Sequence, residues 1–122
     1  MKAIVEISEP GDYMRRAREI ARRADTGESL PEADYHLGFE DAGRLFAEFT
    51  PERCRLLDVL KVSGARSLSA LAKGLGRNYG DVHRDVQALM AHELIAEDES
   101  GQVYVPWDSV EIRVRLGVRK AA

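Results

Sequence analysis

The stretch from Ser67 to Ile95 most constrains the fold, because it carries two helical apolar stripes separated by a short turn. The first stripe has i, i+3, i+4 and i+7 spacing and consists of Leu68, Leu71, Ala72 and Leu75. The second has i, i+4, i+7 and i+8 spacing and consists of Val82, Val86, Leu89 and Met90. Ser67 and Asn78 stand ahead of the two stripes as N-caps, and Gly74 and Gly76 can end the first helix. The spacing predicts helix, turn, helix.

The segments on either side extend this unit. Thr50-Pro51 is a typical helix start, since the first helical position needs no N–H from its proline. After the second helix, residues 97–102 favour a turn and residues 103–107 favour a strand until Pro106. Two strands joined by such a turn form a hairpin, and a hairpin placed after a helix-turn-helix is the wing of a winged-helix domain.

The predicted fold class is α+β: a winged helix-turn-helix with an N-terminal strand-helix arm and a C-terminal strand. Strands are predicted at Lys2–Ser8 and Tyr35–Phe39, helices at 13–24 and 40–49, and a loop at 25–33. Val110, Ile112, Val114 and Leu116 alternate with charged residues, which predicts a last strand with one buried face. The chain divides into the arm (1–49), the DNA-binding domain (50–108) and the C-terminal strand and tail (109–122).

The N-terminal arm carries a basic amphipathic helix, in which Arg15, Arg16, Arg22 and Arg23 are candidate partner-binding residues. They are expected to meet phosphates or an acidic partner protein; alternatively, they form a solvated face whose alanine-rich stripe packs on a strand. A second alternative concerns the first and last strands. They pair within one chain, or some part of the arm or tail crosses to another subunit and forms a homodimer.

Charge and cysteine content narrow the function. The net charge of −3 excludes a uniformly basic DNA binder, yet residues 61–87 hold five basic side chains against Asp81 and Asp85. Cys54 is the single cysteine, so neither a disulfide framework nor a cysteine-rich zinc site is expected. No apolar run is long enough for a signal peptide or a membrane span, and the expected location is the cytoplasm.

The candidate DNA-reading residues lie on the second helix, opposite its apolar stripe. They are Tyr79, His83, Arg84 and Gln87. Arg84 suits guanine O6 and N7, and Gln87 suits an adenine edge. Residues expected to position the DNA backbone are Ser67, Ser69, Lys73 and Arg77. Three assignments have alternatives: His83 as a solvated or capping histidine, Tyr79 packed on the previous helix, and Lys73 on a solvated face.

Enzymatic functions find little support in the sequence. His36, His83 and His92 lack the i, i+4 spacing of a helical zinc pair. No glycine-rich phosphate loop follows a strand, and Asp81 and Asp85 are interpreted as surface residues or partners of Arg84 and Arg77. We therefore expect no catalytic residues, no metal and no cofactor.

Two features depart from the usual winged-helix pattern. The predicted wing carries Glu97-Asp98-Glu99, which phosphates repel, so its tip is expected to make little DNA contact. Glu93 stands where such helices commonly end in glycine, which predicts a positive φ at this residue.

Several segments resemble a family of small prokaryotic winged-helix regulators, distantly similar to the MarR group. They include Thr50-Pro51-Glu52-Arg53, Gly76-Arg77-Asn78-Tyr79, Val82-His83-Arg84-Asp85-Val86 and Val105-Pro106-Trp107. Many such proteins are antitoxins, so the resemblance implies an autorepressor that binds an operator in double-stranded DNA and also a cognate toxin, through the N-terminal arm. The alternative is a winged-helix protein-interaction module that neutralises a partner without reading DNA.

Overall fold

The computed structural model describes residues 1–27 and 33–117 and shows a mixed α+β fold, as predicted. In chain order its elements are β1 (Ala3–Ile7), α1 (Asp12–Asp25), β2 (Tyr35–Phe39), α2 (Ala42–Glu48), α3 (Pro51–Ser63), α4 (Leu68–Leu75), α5 (Tyr79–Ala91), β3 (Ala96–Glu97), β4 (Val103–Tyr104) and β5 (Val110–Arg113). The predicted loop overlaps residues 28–32, which lie outside the described part of the chain.

A three-stranded parallel sheet joins the two ends of the chain. Its strand order is β2-β1-β5, so the first strand is central and the last strand is at an edge. In the register, Val5 lies between Leu37 and Ile112. Of the two arrangements left open by the sequence, β1 and β5 therefore adopt the one in which they pair within a single chain.

The core lies between this sheet and the helices that follow it. Ala3 and Val5 are fully buried and Ile7 packs against the same cluster, which confirms the predicted inward face of the first strand. The helices contribute mainly leucine and valine to this cluster. Those buried most completely are Leu45, Leu56, Leu60, Leu71, Val82, Val86 and Leu89.

Local capping fixes where the central helices start and stop. The side-chain oxygens of Thr50, Ser67 and Asn78 accept hydrogen bonds from backbone N–H groups in the first turns of α3, α4 and α5. Gly76 ends α4 with φ 64°, a left-handed conformation that costs glycine little. All three predicted N-caps are confirmed, so the placement of α4 and α5 is encoded by residues at their own ends.

A short hairpin follows α5. Strands β3 and β4 pair antiparallel, with Ala96 opposite Tyr104. Arg66, just ahead of α4, adds a third strand position, because its backbone N–H and C=O both bond to Val103. The hairpin is thereby attached to the start of α4 as well as to the end of α5.

Two expectations about amphipathic segments are met only in part. Helix α1 has no buried residue and Tyr13 is 76% exposed, so the alternative in which its alanine-rich stripe packs on a strand is wrong. The last strand ends at Arg113; Val110 and Val114 pack against the core as predicted, but Ile112 is 39% and Leu116 77% exposed. The spacing of apolar residues in a sequence shows which face of a helix or strand is apolar. That face is buried only where another element packs against it.

Two predicted helix limits were also too wide. Helix α2 spans Ala42–Glu48 instead of 40–49, because the Asp41 carboxylate caps it by accepting from Arg44 N–H. Helix α5 ends at Ala91, before the predicted Ile95. Glu93 then reverses the chain with φ 67°, which confirms the positive φ expected there.

The strain at Glu93 leads to a stability prediction. Replacing Glu93 with glycine should raise the free energy of unfolding by about 1 kcal/mol, because glycine adopts positive φ without a Cβ penalty. The gain corresponds to a rise of roughly 4 °C in melting temperature, measured by circular dichroism. Glu93→Ala is the matched control, since it removes the carboxylate but keeps the Cβ. Equal melting temperatures for Glu93→Gly and the parent protein would contradict the prediction.

Candidate nucleic-acid interface

Helix α5 presents a polar face on the side away from the core. Val82, Val86 and Leu89 are fully buried, which fixes the rotation of the helix about its axis. The four predicted base-reading residues are all exposed as a consequence. They are Tyr79, His83, Arg84 and Gln87.

Two aromatic rings form the first part of this face. The Tyr79 and His83 rings stack with their centroids 6.1 Å apart and an interplanar angle of 14°. Tyr79 also lines a shallow cleft of about 310 Å³ between α4 and the start of α5, together with Ser69 and Lys73. Tyr79 thus lies beside the previous helix, as its alternative assignment expected, while half of its surface remains exposed.

Arg84 and Gln87 form the second part. The Arg84 side chain is 76% exposed, and its closest carboxylate, Asp81 one turn earlier, is 3.7 Å away. An ion pair of this length on an open surface contributes little to stability and is easily exchanged for another partner. The Gln87 amide has only a 4.0 Å contact with the Met90 sulfur. Both side chains are therefore free to turn toward a ligand.

The four residues predicted to contact the DNA backbone differ in how far they are engaged within the protein. Ser69 and Lys73 are exposed on α4, beside Tyr79. The Ser67 hydroxyl accepts a hydrogen bond from Ala70 N–H and caps α4. Arg77 departs from the prediction, because its side chain is only 22% exposed and its Nη2 donates to Asp85 at 2.8 Å. Its guanidinium points into the protein, so we assign Arg77 to positioning of α5.

The Asp85 carboxylate lies between two arginines from different parts of the chain. Arg53 Nε donates to one carboxylate oxygen at 3.0 Å and Arg77 Nη2 donates to the other. Arg53 also donates through Nη1 to the backbone and side chain of Glu48, whose carboxylate contacts His92. This network, here called the Asp85 network, connects α2, α3, the turn before α5 and the end of α5.

The protonation of Asp85 reflects these contacts. Burial alone raises the pKa of its carboxyl, but the hydrogen bonds from Arg77 and Arg53 lower the pKa by more, so that it lies below its usual value of 3.8. A depressed pKa means that the ionised carboxylate stabilises the fold above the ordinary pKa. This stabilisation is lost as the pH falls through the depressed value.

Arg53 was not among the residues selected from the sequence. Its partner, Asp85, is 32 positions away, and no local pattern connects them. A signal was present on α5 nonetheless, because Asp85 directly precedes the buried Val86 and lies one turn after the buried Val82. A carboxylate next to a buried stripe needs a partner from another element.

The acidic turn of the hairpin is partly structural. The Asp98 carboxylate accepts hydrogen bonds from the backbone N–H of Ser100 at 2.9 Å and of Gln102 at 3.0 Å. The hydrogen bond from the Ser100 hydroxyl, at 2.7 Å, contributes most to lowering the pKa of Asp98 below its usual range, and the backbone bonds lower it further. Glu97 and Glu99 remain exposed on either side. Asp98 shapes the turn, while Glu97 and Glu99 supply its exposed negative charge.

Four of the five arginines of α1 have carboxylates nearby. Arg15 contacts Asp12, Arg16 lies 3.6 Å from Glu6, and both Arg22 and Arg23 contact Glu19. The exposed positions of this helix also include the apolar residues Met14 and Ile20. The surface of α1 is consequently mixed in charge and partly apolar.

Another cleft lies away from this face. It has a volume of about 440 Å³ and is lined by residues near the ends of β1 and β5 and the start of α2, with no contribution from α4 or α5. Within residues 1–27 and 33–117, no group of three metal-ligating side chains occurs. No helix of this part of the chain is long and apolar enough to cross a membrane.

One protein-family model matches the part of the chain that contains α3, α4, α5 and the hairpin. The molecule has an α+β fold in which α3, α4, α5 and a hairpin follow a small parallel sheet. The chain belongs to the HVO_A0114 family, whose model matches residues 48–112, from the end of α2 into β5. None of the curated proteins and none of the solved structures matches the chain.

The Asp85 network leads to a prediction about stability and pH. Replacing Asp85 with asparagine should lower the free energy of unfolding by about 2 kcal/mol at pH 7, because two mostly buried arginines lose the negative charge and one of the two acceptor oxygens that they share. The difference from the parent protein should begin to shrink below about pH 4, where Asp85 becomes protonated in the unfolded state, and should be lost as the pH falls through the depressed pKa of the folded state. Urea unfolding at several pH values measures both effects.

Asp81→Asn is the matched control for this experiment. Asp81 lies one turn earlier on the same helix but is exposed, so its replacement should cost less than about 0.5 kcal/mol. Equal losses for the two variants, or a loss at Asp85 that does not depend on pH, would contradict a structural role for the network.

Proposed function

We propose that this protein is a sequence-specific DNA-binding transcriptional regulator, in which α3, α4, α5 and the β3–β4 hairpin act as a winged helix. The observation that carries the proposal is the exposed face of α5. It offers two stacked rings, an arginine and an amide, all on a helix whose opposite side is fixed in the core. Side chains able to bond base edges are held there on a rigid element.

The dimensions of α5 suit the major groove. A helix of 13 residues is about 20 Å long, and the groove of B-DNA is about 12 Å wide and admits one helix. Arg84 is proposed to donate to guanine O6 and N7, with Gln87 one turn further along to read an adenine. Tyr79 and His83, at the start of the helix, are proposed to contact bases or phosphates near the groove edge.

Contacts with the DNA backbone are proposed to come mainly from α4. Ser69 and Lys73 lie beside Tyr79 and are exposed, whereas Arg77 is paired with Asp85. The number of free cations on this face is therefore smaller than the sequence suggested. Two to three neutralised phosphates per copy correspond to a slope of about −2 to −3 in a plot of log affinity against log salt concentration.

Partners other than DNA are part of the proposal. A palindromic operator calls for a homodimer, and the resemblance to antitoxin-like regulators suggests autorepression together with binding of a toxin. Helix α1 supports a protein-binding role, because it exposes Tyr13, Met14 and Ile20 among its arginines. In the second candidate function, the protein acts only through such a partner and does not read DNA.

The decisive experiment is fluorescence anisotropy with DNA from upstream of the protein's own gene and with a scrambled duplex. The parent protein should prefer the upstream DNA, and Arg84→Ala should weaken that binding by about 1 to 3 kcal/mol and reduce the preference. Arg44→Ala is the matched control, because Arg44 is an exposed helical arginine with a carboxylate nearby but lies on α2. Equal, weak binding to both duplexes would favour the protein-interaction function.

The exposed acids of the hairpin allow a further prediction. Replacing Glu97 and Glu99 with glutamine should leave DNA affinity unchanged or raise it, because these carboxylates repel phosphates. Asp98 is kept in this variant, since its carboxylate holds the turn together. Affinity is measured by the same anisotropy titration, and a clear loss would show that the hairpin contacts DNA through these residues.

A further inference from the structure

In the described part of the chain, no strand pairs with the outer edge of β5, whose backbone groups are directed outward. Strand β5 is the last strand of the β2-β1-β5 sheet. Ala3, whose register partner is Val110, donates its N–H to Ser109 C=O at 3.0 Å. In a parallel pair this places the bonding groups of Ser109, Glu111 and Arg113 toward β1. The N–H and C=O groups of Val110 and Ile112 therefore point away from β1, toward the open side.

Apolar surface adjoins this edge. Ile112 is the register partner of the fully buried Val5, yet it is 39% exposed. Next to it a groove of about 290 Å³ runs between β5 and α3, with Cys54 and Leu57 among its lining residues. A strand added to β5 would continue the sheet and place its own inward side chains over this groove.

We propose that the occupant of this edge is a second copy of the same chain, with two β5 strands paired antiparallel around Ile112. The strand order across the dimer becomes β2-β1-β5-β5-β1-β2. The proposal rests on the homodimer of the proposed function and names its interface. It is tested without DNA, so that a failure to dimerise through β5 and a failure to bind DNA are distinguishable.

The charges on β5 select this register. Outward backbone groups meet when the two-fold axis passes through a residue of the strand, and an axis at Val110 would set only Val110 of each strand opposite the other strand. An axis at Glu111 sets two glutamates opposite each other, and an axis at Arg113 sets two arginines opposite each other. An axis at Ile112 places Glu111 of each copy opposite Arg113 of the other, which is the favourable cross-strand combination.

The strand already displays this attraction within one copy. The Arg113 guanidinium bonds to the Glu111 carboxylate at 2.7 Å, and Lys2, the residue before β1, lies 3.1 Å from the same carboxylate. In the dimer, Arg113 of the other copy adds a further cation to this carboxylate. The free edge of β2 has no comparable self-complementarity, because a two-fold axis through Leu37 sets His36 opposite Gly38.

Sedimentation velocity of the full chain, from about 1 to 100 µM, tests the proposal through a pair of charge reversals. Glu111→Arg and Arg113→Glu each put like charges opposite each other and should raise the dimer dissociation constant at least about tenfold. In an equimolar mixture of the two variants, opposite charges meet again. The mixture should form a heterodimer while each variant alone remains largely monomeric.

Two further variants separate the interface from the fold. Ile112→Pro removes an outward N–H but leaves the bonds from Glu111 and Arg113 to β1, so it should be monomeric with an unchanged circular dichroism spectrum. Arg18→Glu reverses a charge on α1 and should leave the dimer intact. A parent protein that is monomeric at about 100 µM, or a mixture that fails to recover the dimer, would overturn the proposal.

Discussion

The orientation of α5 depends on one carboxylate that is kept ionised at the edge of the core. Asp85 is held by Arg53 from α3 and by Arg77 from the turn before α5, and all three side chains are mostly buried. Apolar packing of Val82 and Val86 restrains the rotation of α5, but it is not directional. The two charge-assisted hydrogen bonds add direction, because they fix the helix along its axis relative to α3.

Because these arginines pair with carboxylates, the surface near α5 carries less positive charge than the sequence suggests. Residues 61–87 appear basic in the sequence, yet Arg77 is neutralised by Asp85 and Arg84 has Asp81 nearby. A protein with net charge −3 can approach DNA only through a local surface, where a few exposed cations act at short range. Such a surface favours specific hydrogen bonds at short range over long-range electrostatic attraction to nucleic acid.

Features encoded by neighbouring residues could be predicted from the sequence, and features that need a distant partner could not. The caps at Thr50, Ser67 and Asn78 and the positive φ of Glu93 were predicted correctly, since each depends on a few adjacent positions. Among the candidate site residues, the exposed positions on α5 followed from periodicity. The pairing of Arg77 with Asp85 was one of the alternatives that the sequence offered, and the structure shows it. The pairing of Arg53 with Asp85 and the exposure of α1 depend on which elements meet, and one chain's pattern does not specify that.

The central place of β1 has a consequence for how the protein folds. Its partners are β2, about 30 residues later, and β5, more than 100 residues later, and the Met1 amino group contacts Asp108. Closing so long a loop slows folding, because its entropic cost precedes the contacts that offset it. During synthesis, the helices can form early while one side of β1 waits for the last strand. A nascent chain therefore exposes an unpaired strand edge until residues 110–113 leave the ribosome, and in that interval it is open to chaperones or to mispairing.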